Sequence, residues 1–269
     1  MKKTFLILFL INIYFCFGQD YFEGKNLYCG SSNPEALKAF NAGIELLHLN
    51  SSLDKKTLNK TADVFFKAFK IDSTFCDAAF FTGYTMRLMN DKDALVFYYM
   101  ADSLAQNKAS VFKSNLAAEA MRFGNVEGLK LARKKYEELM EYFPENPEGY
   151  YGIALTSPMI GDLKNGLNCI NTAISKYLKM NHKVNDDVYF LKGVLLTLNE
   201  KYEEGIKYLE KAKSTFKNDE NFKIHYSLCL LKISQMNNDL KMRKKAKKIF
   251  NKIKNKNEIP EFIRQQLIF

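Results

Sequence analysis

The side chains with chemistry to offer in this 269-residue chain are three histidines (His48, His182, His225), five cysteines (Cys16, Cys29, Cys76, Cys169, Cys229) and several adjacent carboxylates. A helical zinc site needs two imidazoles one turn apart with a glutamate between them, so that both ring nitrogens share a face. The three histidines are too far apart in the chain for that pattern. No two cysteines have the two-residue spacing of a thiol redox centre or a zinc ribbon. Gly161 and Gly166 have the spacing that opens a phosphate-binding loop, but Leu167 stands where such a loop needs a lysine. No Gly-x-Ser-x-Gly elbow is present to raise a nucleophile. The pairs Glu137–Glu138, Asp186–Asp187 and Glu203–Glu204 fall near helix starts or on polar faces, where carboxylates serve solvation and the helix dipole. The expectation is therefore no catalytic residue, no metal ligand and no cofactor: the chain is not read as an enzyme.

Charge is the other resource, and it is concentrated. The formal net charge is +10. Residues 241–256 hold nine basic side chains (Lys241, Arg243, Lys244, Lys245, Lys247, Lys248, Lys252, Lys254, Lys256) and no acid. Without Lys2, Lys3 and these nine, the remainder carries −1. Met242, Ala246, Ile249, Phe250 and Ile253 recur among them at helical spacing, which turns the lysines outward. Two readings stand: a solvated face on a last helix, or attraction to an anionic surface such as lipid head groups, polysaccharide or an acidic protein. No aromatic side chains alternate with these lysines as base-stacking platforms, so nucleic acid is not expected.

The elements that must position any site are helices, and they repeat. Residues 188–212 read as two amphipathic helices broken at Asn199–Glu200, with Gly193, Gly205 and Ala212 where the helices touch and Tyr189, Leu196 and Leu209 around them. Ala154, Gly166, Ile170 and Ala173 repeat that spacing, with Tyr150 in the place of Tyr189. Earlier copies run through Leu116, Ala120, Ala132, Tyr136 and Leu139 to Pro144, and through Gly83, Ala94, Tyr98 and Ala101. A degenerate copy holds Gly43, Thr61, Phe65 and Ala68, its turn lengthened by residues 51–60. A period in the thirties of residues, helix-turn-helix each time, marks a solenoid. Asn33-Pro34-Glu35 and Asn146-Pro147-Glu148 supply N-caps, and Gly161–Asp162 can end one helix and cap the next.

These units resemble tetratricopeptide repeats over roughly residues 34–257, most strongly around Gly193. Departures are the absence of Trp, a closing Pro only at Pro144, Lys192 at a usually apolar position and uneven spacing. The resemblance implies an all-α fold, a right-handed superhelical solenoid of about six antiparallel helix pairs, and a non-catalytic scaffold that binds a protein or peptide partner. Its first helices would line a concave groove, at Phe80, Tyr84 and Arg87, Ala117 and Met121, Tyr151 and Leu155, and Phe190 and Val194. The Lys and Asn clamp for a C-terminal carboxylate is missing from this set, so a segment with large apolar anchors is the expected ligand. In a stacked array Cys29 and Cys76 can be neighbours, and an oxidising compartment would permit a bridge.

Both ends of the chain carry their own signals. The basic head Met1-Lys2-Lys3, the apolar run over residues 5–17 and the small Gly18 read as a secretory signal peptide over residues 1–18. Tyr14 and Phe15 are too bulky for a lipoprotein signal ending at Cys16, so the mature chain is expected to begin at Gln19 or Asp20 in the periplasm, cell envelope or extracellular space. No later run is long enough to span a membrane, which takes about 20 apolar residues. Residues 19–32 are expected as an extended segment, 33–257 as the repeat array and 258–269 as a capping tail, with Phe262, Ile263, Leu267 and Ile268 able to fold back over the groove.

Overall fold

The computed structural model describes residues 19–49 and 54–269. The signal peptide expected at residues 1–18 lies outside the described residues. Short α1 (Gln19–Phe22) precedes twelve longer helices: α2 (Pro34–Leu49), α3 (Lys55–Ile71), α4 (Cys76–Leu88), α5 (Ala94–Ala105), α6 (Ser110–Arg122), α7 (Val126–Tyr142), α8 (Pro147–Ile160), α9 (Leu163–Lys179), α10 (Asp186–Leu198), α11 (Tyr202–Phe216), α12 (Glu220–Met236) and α13 (Leu240–Phe250). A 3-10 turn (Lys256–Glu258) and α14 (Glu261–Arg264) close the chain, and the described residues contain no strand. The fold is all-α, as the periodicity predicts.

Consecutive helices pair: α2 with α3, α4 with α5, α6 with α7, α8 with α9, α10 with α11, and α12 with α13. That makes six pairs. They fall into two compact units, one ending at Phe143 and one running from Pro144 to Phe269. The first helix of a pair and the second are buried differently. In α10, eight residues from Val188 to Thr197 are buried, whereas α11 buries only Gly205, Leu209 and Ala212. The same contrast separates α4 from α5 and α8 from α9. A helix apolar nearly all round is an inner helix, and one with a single apolar stripe is an outer one.

Local chemistry sets the ends. Asn146 Oδ1 accepts from the Glu148 N–H at 2.9 Å, and Asn33 Oδ1 from Glu35 at 2.9 Å, as their spacing predicts. Gly161 ends α8 at φ 79°, in the left-handed region that glycine enters without steric cost. Asp162 does not cap α9 with its side chain; its carboxylate accepts from Asn165 Nδ2 at 2.8 Å. Lys192, out of place on an apolar face, is half-buried and extends its ammonium to Tyr208, 2.8 Å from the hydroxyl and 4.1 Å from the ring centroid.

Candidate functional site

The amino-terminal segment is not simply extended. α1 presents Tyr21 and Phe22 to the inner helices of the first unit. Tyr21 is buried, with its ring 5.7 Å from Phe80, 5.3 Å from Phe81 and 6.1 Å from Phe112. Phe22 lies 5.1 Å from Tyr84, and Tyr28 lies 5.2 Å from Phe112. Such ring pairs prefer tilted or edge contacts and add to the apolar area that they bury.

Polar and covalent ties hold the same segment. Cys29 and Cys76 are joined by a disulfide, with Cα atoms 5.6 Å apart. Next to it, the buried Asp77 carboxylate accepts four hydrogen bonds. Oδ1 takes the Tyr21 hydroxyl at 3.1 Å and the Tyr28 N–H at 3.0 Å, while Oδ2 takes the Cys29 and Gly30 N–H groups at 2.9 and 3.0 Å. Gly30 sits at φ 58°, a conformation that bends the backbone around the carboxylate. Burial, and after it the charge of Asp77, pushes the Tyr21 phenol well above its ordinary range, so it remains a donor. Cys29, Cys76 and Asp77 place their ligand atoms within 4.8 Å of one another. Metal binding needs thiolates, and the bridge has consumed both sulfurs.

The expected groove residues now have places. Phe80, Tyr151, Leu155, Phe190 and Val194 are buried, as is Ala117; Tyr84, Arg87 and Met121 are half-buried. Phe80 is 4.7 Å from Phe112 and 5.4 Å from Tyr98. Arg87 Nε lies 3.6 Å from Glu119, which also holds Arg122 at 2.8 Å. Tyr151 donates to Asp187 at 3.1 Å, and Phe190 stacks on Phe216 at 4.8 Å. The cover on the α4 row is α1, not the carboxy-terminal tail. In that tail Ile263 and Leu267 are buried, Gln266 accepts from Tyr202 of α11 at 3.3 Å, and Phe269 sits 5.3 Å from Phe250 of α13. Phe262 and Ile268 stay exposed. Tyr21 and Phe22 were missed as cover because four helical residues are too few to show periodicity.

Two sets of buried charges also escaped the sequence reading. Lys113, 1% exposed, bonds Asp102 at 3.0 Å and Glu138 at 2.7 Å, and Lys135 reaches the same two carboxylates at 2.7 and 2.8 Å. Burial works against these charges, but the bonds between them outweigh it, holding Lys135 above and Glu138 below their ordinary ranges. The ring is neutral and ties α5, α6 and α7 beside a 470 Å³ cleft. Its partners come from three helices, so no spacing rule could have found it.

In the second unit, burial raises Glu148 to about 7; the Tyr177 hydroxyl, donating at 2.6 Å, opposes the shift, and the Asp187 charge adds to it. Burial lowers His225 to about 4, and its Nδ1 has no partner among the described residues. The signs oppose each other. The folded state holds a proton on Glu148 that the unfolded chain releases between about pH 4.5 and 7, so this group's stabilisation is lost as pH rises. The unfolded chain binds a proton at His225 that the fold excludes between about pH 4 and 6.5, so that group's share grows as pH rises. Relative to the parent, Glu148→Gln should therefore make stability rise more steeply from pH 4.5 to 6.5, and His225→Gln less steeply. Denaturant midpoints across that range check both; parallel profiles for the two variants would refute the assignment.

No protein-family description matches the chain, and no curated protein does. Solved structures do. Pseudomonas aeruginosa PilF is similar over 86% of this chain and 97% of its own, at 14% identity and a TM-score of 0.60. A chain of the APC/C hetero-tetramer Cut9–Hcn1 is similar over 88% of this chain at 17% identity and a TM-score of 0.57; this chain spans 43% of its length. YrrB, described as a tetratricopeptide-repeat protein with an unusual peptide-binding site, is similar over 76% of this chain and 97% of its own, at 15% identity and a TM-score of 0.52. At such identities the likeness speaks for the fold. Six helix pairs, of which the five from α4–α5 onward each set a more deeply buried first helix beside a striped second one, give this chain the tetratricopeptide-repeat fold.

Proposed function

We propose that the chain is an exported, non-catalytic scaffold that binds a protein or peptide segment along the inner helices of its repeats. The observation that carries the reading is the inner row of the first unit, where Tyr84, Arg87 and Met121 remain partly accessible among packed neighbours. Its chemistry suits a segment with large apolar anchors, since aromatic pockets concentrate binding energy. The Tyr21–Phe22 pair already lies against that row as such a segment would. YrrB supports the reading as a protein of this fold with a peptide-binding site. Retention of a partner from envelope extract by the mature chain is the test. Tyr84→Ala with Met121→Ala should reduce it at least about tenfold, on the scale of a few kcal/mol for central apolar anchors. Unchanged retention by a folded double variant would remove the row from the site.

Export is supported by the signal-like residues 1–18 and by the disulfide, which persists in oxidising compartments. The intact mass of the exported protein should place the start at Gln19 or Asp20 without lipid; a diacylglycerol on Cys16 would overturn that. A second reading has its own observation: eight of the nine basic residues in 241–256 are exposed, and none forms an ion pair among the described residues. It holds that this stretch attaches the chain to an anionic surface.

A further inference from the structure

The basic stretch is accompanied by exposed apolar side chains, and the two together narrow what kind of anionic surface fits. α13 buries only Ala246, so its lysines face solvent around most of the helix. Lys245 leans on Tyr226, 3.4 Å from its hydroxyl, and Lys256 Nζ sits 5.5 Å over Phe250. Phe250 in turn is 5.3 Å from Phe269, which brings the end of the chain to the end of the basic helix. Ile268, adjacent to Phe269, is 71% exposed, and Phe262 on α14 is 56% exposed. Leu240, the first residue of α13, is 70% exposed. Large apolar side chains left in water beside unpaired cations gain nothing from a sulfated or carboxylated polysaccharide, which offers charge alone. A bilayer offers both: anionic head groups for the lysines and the acyl boundary for the apolar side chains.

Resting on the anionic-surface reading above, we infer that α13 and the tail behind it form a peripheral docking face for an anionic lipid bilayer. The two components add: the lysines supply the larger, salt-dependent attraction and the inserted side chains a smaller apolar share.

The test uses the chain from Gln19, which removes the apolar run at residues 5–17 as a competing anchor. It is mixed with vesicles of phosphatidylcholine alone, with vesicles containing about 30% phosphatidylglycerol, and with alginate beads at matched charge. Sedimentation with the anionic vesicles should exceed that with neutral ones at least about tenfold and fall steeply between about 0.05 and 0.5 M salt. Replacing Lys244, Lys247, Lys248 and Lys252 with glutamine should cost at least about tenfold on anionic vesicles. Phe262→Ser with Ile268→Ser should weaken vesicle binding several-fold and leave alginate retention unchanged. Both variants alter exposed positions, and unchanged circular dichroism confirms their fold. If the apolar variant binds vesicles as the parent does, while alginate retains both, the lipid assignment fails and the anionic-surface reading survives. If neither vesicles nor alginate retain the parent, both fail.

Discussion

Asp77→Ala should destabilise the first unit by about 3 kcal/mol or more, although it removes only one small buried side chain. Among the described residues, the carboxylate is the one acceptor for the Tyr21 hydroxyl and for the Tyr28, Cys29 and Gly30 N–H groups. A buried donor left without its acceptor costs about 1–3 kcal/mol, and water entering the hole offsets part of the loss. Asp77→Asn should recover only part, because the amide turns one acceptor into a donor facing other donors. Separately, replacing Cys29 and Cys76 with serine should cost about 4 kcal/mol in the chain-entropy account, given a sequence separation of 47. Both changes loosen the same segment, so the combined variant should lose less than the two losses added together. Urea unfolding followed by circular dichroism reads these values, since the chain has no tryptophan to report by fluorescence. If Asp77→Ala unfolded within about 0.5 kcal/mol of the parent, the carboxylate would not be what holds the segment.

What the sequence disclosed and what it hid follow one physical rule. Interactions that repeat at fixed spacing were legible: the small residues at Gly193, Gly205 and Ala212, the caps at Asn33 and Asn146, and the outward lysines of α13 all depend on neighbours along one helix or its pair. The nearness of Cys29 and Cys76 could be argued because stacked units bring their starting ends together. Interactions assembled from three or more separate places were not legible. The Lys113–Asp102–Lys135–Glu138 ring and the donors converging on Asp77 each need the folded chain before any member looks unusual. The inner-row residues show a subtler limit. Their apolar character fits a binding groove and an interior seam equally well, and only burial separates Phe80 and Val194 from Tyr84 and Met121.

Gly193→Leu should damage the fold more than any substitution on the lysine face of α13. A Cβ at Gly193 would stand 2.7 Å from both Cγ and Cδ2 of Leu209 and 3.1 Å from the Leu209 backbone nitrogen. Leu209 is fully buried and cannot swing into solvent, and the nitrogen belongs to α11 itself, so relief requires the two helices to separate. Separation would also open the contact where Gly205 meets the Gly193 carbonyl, Thr197 and Cys229, the last with its thiol pushed up to about 12 by burial. Overpacking of a tight core costs about 1–3 kcal/mol, and a seam with backbone on one side belongs at or above the top of that range. That corresponds to roughly 2–4 °C of melting temperature per kcal/mol in a chain of this size class. Gly193→Ala should fall between, because alanine's better helix propensity, worth about 0.5–1 kcal/mol, offsets part of a smaller clash. The control is Lys248→Ala on the exposed face of α13, expected within about 0.5 kcal/mol of the parent. Amide exchange in α10 and α11 should rise with Gly193→Leu and stay unchanged with Lys248→Ala. Equal melting temperatures for Gly193→Leu and Lys248→Ala would mean that α10 and α11 do not meet at Gly193.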